Sequence, residues 1–164
     1  TADVEDEDGR VRGIVIHRML EMLANKTEVR SDTIAAQLGL QIDASELEHY
    51  WQEARDVWQH PTLQAFFNPA HINQAFNEVP VLYQDKNSTV HGIIDRLVVT
   101  EKEALVIDYK THRNANPDNL QNIAEAYFSQ LRYYREGVQR LWPSLPVRAF
   151  LIFTACAGVV ELPM

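Results

Sequence analysis

Thiol chemistry is almost absent from this chain: Cys156 is the one cysteine in 164 residues. A lone thiol excludes an internal disulfide and cannot by itself hold an iron–sulfur cluster, so no such cluster is expected. Cys156 lies in an apolar, strand-like stretch and reads as a buried, inert residue of a reducing cytoplasm. Long apolar runs are missing too. No stretch approaches membrane-spanning length and no signal-peptide pattern opens the chain, so no membrane role is expected. Positive charge is scarce, with 15 Lys and Arg against 23 Asp and Glu, a net charge of −8. That balance argues against a surface that coats nucleic acid. No Gly-x-x-x-x-Gly-Lys phosphate loop occurs, so the chain carries no motor of that kind.

What is present suits one ordinary domain. Hydrophobic residues make up 46% of the chain, enough for a substantial core. Acidic residues crowd the start at Asp3, Glu5, Asp6, Glu7 and Asp8. Residues 1–10 read as a solvated linker and 11–164 as a single domain. With Thr1 in place of an initiator Met, the chain reads as a piece of a longer protein.

Helical periodicity dominates the first half. Gly13, Ile16, His17, Leu20, Leu23 and Ala24 share one helical face. Ser31-Asp32 is expected to cap a short helix ending at Gly39. Ser45-Glu46-Leu47-Glu48 has the form of a capping box, followed by an amphipathic stripe from Leu47 to Trp58. The helical spacing of Tyr50, Trp51 and Trp58 favours core packing over a base-stacking platform. Pro61 ends that helix, and a further turn or two follows to Phe67.

The period then changes. Phe76 to Tyr83, Val90 to Thr100 and Ala104 to Lys110 read as three strands joined by short polar connections, an antiparallel meander. One long helix is expected from about Leu120 to Leu141, stopped by Pro143 and Pro146, and Val147 to Phe153 gives a fourth strand. A helical crossover between strands implies a mixed sheet flanked by helices, an α/β domain with an N-terminal helical region.

The strand Ala104 to Lys110 ends abruptly in charge. Asp108 and Lys110 are two apart and point to the same face. A carboxylate beside an ammonium at a strand end suits a site that holds a cation and activates water beside a phosphate. Burying such a pair for structure alone is costly. Asp95, in Gly92-Ile93-Ile94-Asp95-Arg96, precedes the pair on the neighbouring strand.

An Asp on one strand and Asp-x-Lys on the next resembles the PD-(D/E)XK nucleases, with their restriction-endonuclease-like core. Four segments match the RecB-like branch in order: Gly13-x-x-x-His17, Glu78-Val79-Pro80, the Asp95 and Asp108-Tyr109-Lys110 pair, and Tyr127-x-x-Gln130-Leu131-x-x-Tyr134. The resemblance implies His17, Asp95, Asp108 and the main-chain carbonyl of Tyr109 as ligands of Mg²⁺ or Mn²⁺. It implies Lys110 as the residue that positions water and stabilises charge on phosphorus, and Glu78 as a residue that aligns the site or holds a second cation. Gln130 and Tyr134 would contact the strand or orient Lys110, whereas Tyr127 reads as packing. Arg96, His112 and Arg113 flank the site as phosphate contacts.

The chain resembles the C-terminal nuclease domains of the RecB and AddA type. In those proteins a UvrD-like helicase upstream in the same chain delivers single-stranded DNA ends, a second helicase–nuclease subunit can take part, and double-strand breaks are processed for repair and recombination in the cytoplasm. A free-standing RecB-like nuclease and a non-catalytic DNA-binding scaffold are the alternatives. The presence of every charged position, Lys110 included, argues against the scaffold.

Overall fold

The computed structural model describes residues 2–25 and 30–164. Helix α1 (Ala2–Ala24) leads to α2 (Ser31–Gln37) and α3 (Ala44–Gln59). A 3₁₀ turn at Pro61–Leu63, α4 (Gln64–Phe67) and a second turn at Pro69–His71 then carry the chain into the sheet. Strands β1 (Gln74–Asp85), β2 (Ser88–Val99) and β3 (Ala104–Lys110) form the expected meander. Helices α5 (Leu120–Glu125) and α6 (Phe128–Leu141) cross over to β4 (Val147–Phe153), which runs parallel to β3. A short β5 (Gly158–Glu161) returns antiparallel at the edge, completing the order β1-β2-β3-β4-β5. Among the described residues no helix is long and apolar enough to cross a membrane.

Each face of the sheet carries its own core. Val98, Leu105, Ile107, Phe150 and Ile152 meet Ile16, Met19, Leu20 and Val57 from α1 and α3. Leu97, Val106, Leu151 and Phe153 meet Phe128, Leu131 and Val138 of α6. Alternation explains the split, since successive strand residues face opposite layers. Fully burying one of these large apolar side chains contributes about 1.5–3 kcal/mol.

Several local expectations differ from the structure. The acidic segment has helical backbone as the first turns of α1. The capping box is not formed: α3 starts at Ala44 with Asp43 at the cap and no side-chain cap bond, so Ser45 already lies inside the helix. Likewise Arg30, not Ser31 or Asp32, occupies the α2 cap, while the chain turns after it at Gly39 with φ 65. The long helix is broken between Glu125 and Phe128. No proline or glycine marks the break; the side chain of Tyr127 is engaged elsewhere, as described below. Cys156 is half-buried in the turn between β4 and β5 rather than in a strand.

Candidate functional site

The site arises where the ladder between β2 and β3 stops. Its last pair is Arg96 with Ile107, and one further step would set Asp95 opposite Asp108. The strands part there, and the freed Tyr109 N–H donates to the Asp95 Oδ2 at 2.7 Å. On the other side of β2, Glu78 falls opposite Asp95 between the pairs Asn77–Arg96 and Val79–Ile94, yet is itself unpaired. Its φ of 52 is a left-handed conformation inside a strand, strain of a kind that gathers at functional sites.

Helix α1 brings His17 to this gap. Its Nε2 lies 3.2 Å from Asp95 Oδ2 and 3.1 Å from the Tyr109 carbonyl oxygen, and its Nδ1 lies 2.6 Å from the Gly13 carbonyl oxygen. Carbonyl oxygens only accept, so both ring nitrogens donate and the imidazole is an imidazolium. Burial opposes that charge, but the hydrogen bond and charge of Asp95 prevail and raise the His17 pKa to about 9. A cationic proton thus sits among an imidazole nitrogen, a carboxylate and a main-chain oxygen. Those donors suit Mg²⁺ or Mn²⁺ in place of that proton, and the bond from Nδ1 to Gly13 fixes the ring for the task. The phenol of Tyr109 stays in the core, stacked on Phe67, so only its backbone reaches the site.

Asp108 completes the acidic pair. Burial, then the hydrogen bond and charge of Asp95, push its pKa up to about 7 even though Lys110 Nζ lies 3.0 Å from its Oδ2. Burial also works against Asp95, but hydrogen bonds from His17 and Asp108 hold it below the usual carboxylate range. Without a cation, Asp108 is the member of the pair that holds a proton, up to about pH 7. Among the described residues no three His, Cys, Asp or Glu side chains cluster as a metal site.

This arrangement sets the pH dependence of the metal-free fold. His17 titrates higher when folded than its ordinary 6.5, so its contribution is full below pH 6.5 and lost as pH rises through about 9. Asp108 acts in the same direction, its contribution fading as pH rises from 3.8 through about 7. The metal-free chain should therefore melt at progressively lower temperature from pH 6 to pH 9. A flat or rising midpoint in chelator-treated samples over that range contradicts the charge assignment.

Lys110 lies over the Tyr127 ring, 4.0 Å from its centroid, and the Tyr127 hydroxyl is 3.0 Å from His112 Nε2. Tyr127 therefore supports the lysine, a role that its helical spacing hid. Below them a buried network fixes the end of β3. Arg12 pairs with Glu53 and donates to the Thr111 carbonyl at 3.0 Å, while Thr154 donates to Glu53 at 2.7 Å and through its N–H to the Lys110 carbonyl at 2.9 Å. Nothing local in the sequence signals that network, because its members lie on α1, α3 and the turn after β4.

The remaining candidates divide. Arg96 is removed from the phosphate contacts: it is 3% exposed and its Nε donates to the Phe66 carbonyl at 2.9 Å. Tyr134 is buried against Gly92, where an added Cβ would come within 2.8 Å of its hydroxyl, so it packs rather than meeting a strand. Gln130 is exposed on α6. Arg113 lines a cavity of about 670 Å³ together with His17, Lys110, His112 and Tyr127, and donates to the Tyr50 hydroxyl at 3.2 Å.

The sequence pattern of the PD-(D/E)XK nuclease superfamily matches residues 2–161, nearly the whole chain. The chain belongs to the PD-(D/E)XK nuclease superfamily. Its relatives include an ATP-dependent helicase/nuclease subunit of Anoxybacillus flavithermus, 26% identical over 93% of this chain and 13% of that protein. The protein of the same name from Lacticaseibacillus casei is 36% identical over 44% of this chain and 6% of that protein. This PD-(D/E)XK domain thus spans a small part of the curated relatives' length. A solved Vibrio cholerae structure aligns over 90% of this chain and 42% of its own, at 14% identity and a TM-score of 0.36.

Proposed function

We propose that this PD-(D/E)XK domain is a divalent-cation-dependent deoxyribonuclease, the nuclease module of a helicase–nuclease that processes broken DNA for repair and recombination in the cytoplasm. The observation that carries this reading is the convergence of His17, Asp95 and the Tyr109 carbonyl beside the Asp108–Lys110 pair at the point where β2 and β3 separate. His17, Asp95, Asp108 and the Tyr109 oxygen would hold a Mg²⁺ or Mn²⁺ ion, which would supply Lewis acidity toward the scissile phosphate and toward water. Lys110 orients the attacking water and meets negative charge as it develops on the phosphoryl oxygens. Asp108 holds the ammonium in place by its 3.0 Å contact, and the Tyr127 ring supports it from the other side. Glu78, on the far side of Asp95, aligns the site, and Arg113 meets a flanking phosphate.

Support for the helicase link comes from the relatives' name and from the charge. At −8 the domain lacks the phosphate-neutralising surface that gives independent affinity through counterion release. A motor upstream in the same chain would deliver single-stranded ends, and a second helicase–nuclease chain would be the partner. The test compares Mg²⁺-dependent cleavage of dilute single-stranded DNA by this chain and by a version joined to its natural upstream region, at matched salt, with and without ATP. Tethering raises the strand's effective concentration, so the joined form should cut about tenfold faster or more. Equal rates would mean that the domain captures its own substrate, and would support a free-standing nuclease.

A further inference from the structure

Two cavities meet at His17, and they differ in chemistry. One is the polar cavity of about 670 Å³ that holds Lys110, His112 and Arg113. The other, about 460 Å³, lies on the Glu78 side of Asp95 and is walled by Ile14, Leu38 and Ile93, with Arg10 and Arg18 at its rim. Gly9 and His17 line both. We propose that the second cavity receives the base of one unpaired nucleotide beside the scissile phosphate. This rests on the nuclease reading above and extends it to a subsite.

Four independent features point that way. First, Ile93 is 57% exposed and Ile14 36% exposed, open apolar surface placed directly against metal-binding chemistry. Ile93 lies two residues before Asp95 on β2, and both line this cavity. Second, α1 presents Gly9-Arg10, Gly13-Ile14 and His17-Arg18 at four-residue intervals, one continuous helical stripe. Glycine is unfavourable inside a helix, yet a Cβ added at Gly9 would meet nothing within 4 Å. The backbone at Gly9 is open to solvent where the two cavities share Gly9 and His17.

Third, the charges complement a nucleotide. Arg10 and Arg18 pair with Glu7 and Glu21, each three residues away on the same helix, contacts weak enough to be exchanged for phosphate. The carboxylate of Glu78 matches the amino edge of a base. Fourth, Glu78 holds its left-handed φ of 52 at the cavity wall, where strain is retained for a ligand rather than for the strand. A base enters such a cavity only when unstacked. Unpaired strands therefore bind without the cost of flipping a nucleotide out of a duplex, which selects single-stranded substrate.

The test uses the 164-residue chain and a set of single-stranded oligonucleotides carrying one abasic residue at successive positions around the cut. An abasic residue at one position next to the cleaved bond should raise KM about tenfold, with kcat little changed. Ile93→Ser should raise KM by a similar factor on intact DNA and lose its response to that abasic position. Equal KM for every abasic substrate overturns the proposal, as does an Ile93→Ser variant that keeps the full abasic penalty. A chain that cuts no DNA with Mg²⁺ or Mn²⁺ overturns the nuclease reading and this subsite together, an outcome distinct from cleavage without base dependence.

Discussion

Lys110→Ala should fold, bind Mn²⁺ as the parent chain does, and cut single-stranded DNA at least about a hundredfold more slowly. The lysine side chain is only 18% exposed and contacts Asp108, one of the four proposed ligands, at 3.0 Å. On the proposed reading its loss removes an ammonium from the reaction and leaves the four ligand groups themselves unaltered. The fold should survive, because β3 pairs with β4 through backbone as far as Lys110 and Phe153, and alanine keeps those bonds. Tyr127 separates positioning from mere presence of the lysine. Tyr127→Phe retains the ring under the ammonium and should stay within about threefold of the parent kcat, while Tyr127→Leu should lose about tenfold with KM unchanged. Single-turnover cleavage with Mg²⁺ and calorimetric titration with Mn²⁺ make the comparison. Cleavage at the parent rate by Lys110→Ala would remove the lysine from the mechanism. Equal losses in Tyr127→Phe and Tyr127→Leu would shift the weight from the ring to the hydroxyl bond with His112.

The mixed sheet flanked by helices was legible in the sequence, and so was the pairing of Asp108 with Lys110 within it. The strands Ala104–Lys110 and Val147–Phe153 were legible end to end because each is an apolar run with polar borders. Strand alternation alone set Asp108 and Lys110 on one face, and the structure joins them at 3.0 Å. The break before Phe128 was not legible, since nothing in Glu125-Ala126-Tyr127 disfavours helix; it coincides with the contacts of Tyr127 to Lys110 and His112. Strand β5 escaped because four residues, two of them apolar, make too short a pattern. Gly92 is the instructive case. Its place before Asp95 reads as motif, but its physical basis is the ring of Tyr134, forty-two residues later, which leaves no room for a Cβ.

Asp108→Asn should separate stability from function more sharply than any other change in this chain. In the metal-free protein burial and Asp95 raise the Asp108 pKa to about 7, so near neutrality the side chain is substantially protonated. Asparagine has nearly the same shape, stays neutral, and can donate to Asp95 as the protonated acid does. It also removes the charge whose burial weakens the fold as pH rises. The metal-free variant should therefore melt at or above the parent temperature at pH 8, and its decline from pH 6 to pH 8 should be shallower. Metal binding responds in the opposite sense. A neutral amide is a poor ligand for Mg²⁺ or Mn²⁺, and the remaining acid, Asp95, is already held by His17 and the Tyr109 N–H. Mn²⁺ affinity should fall about a hundredfold or more, and Mg²⁺-dependent cleavage should fall further, because the partner that holds Lys110 loses its charge as well. In the parent chain Mn²⁺ must displace the His17 proton, so its binding should tighten from pH 7 to pH 9 and release protons into the buffer. Calorimetry in two buffers of different ionisation enthalpy measures that release. A variant that melts several degrees below the parent would show that Asp108 is an ionised structural anchor, and unchanged Mn²⁺ binding would place the cation elsewhere.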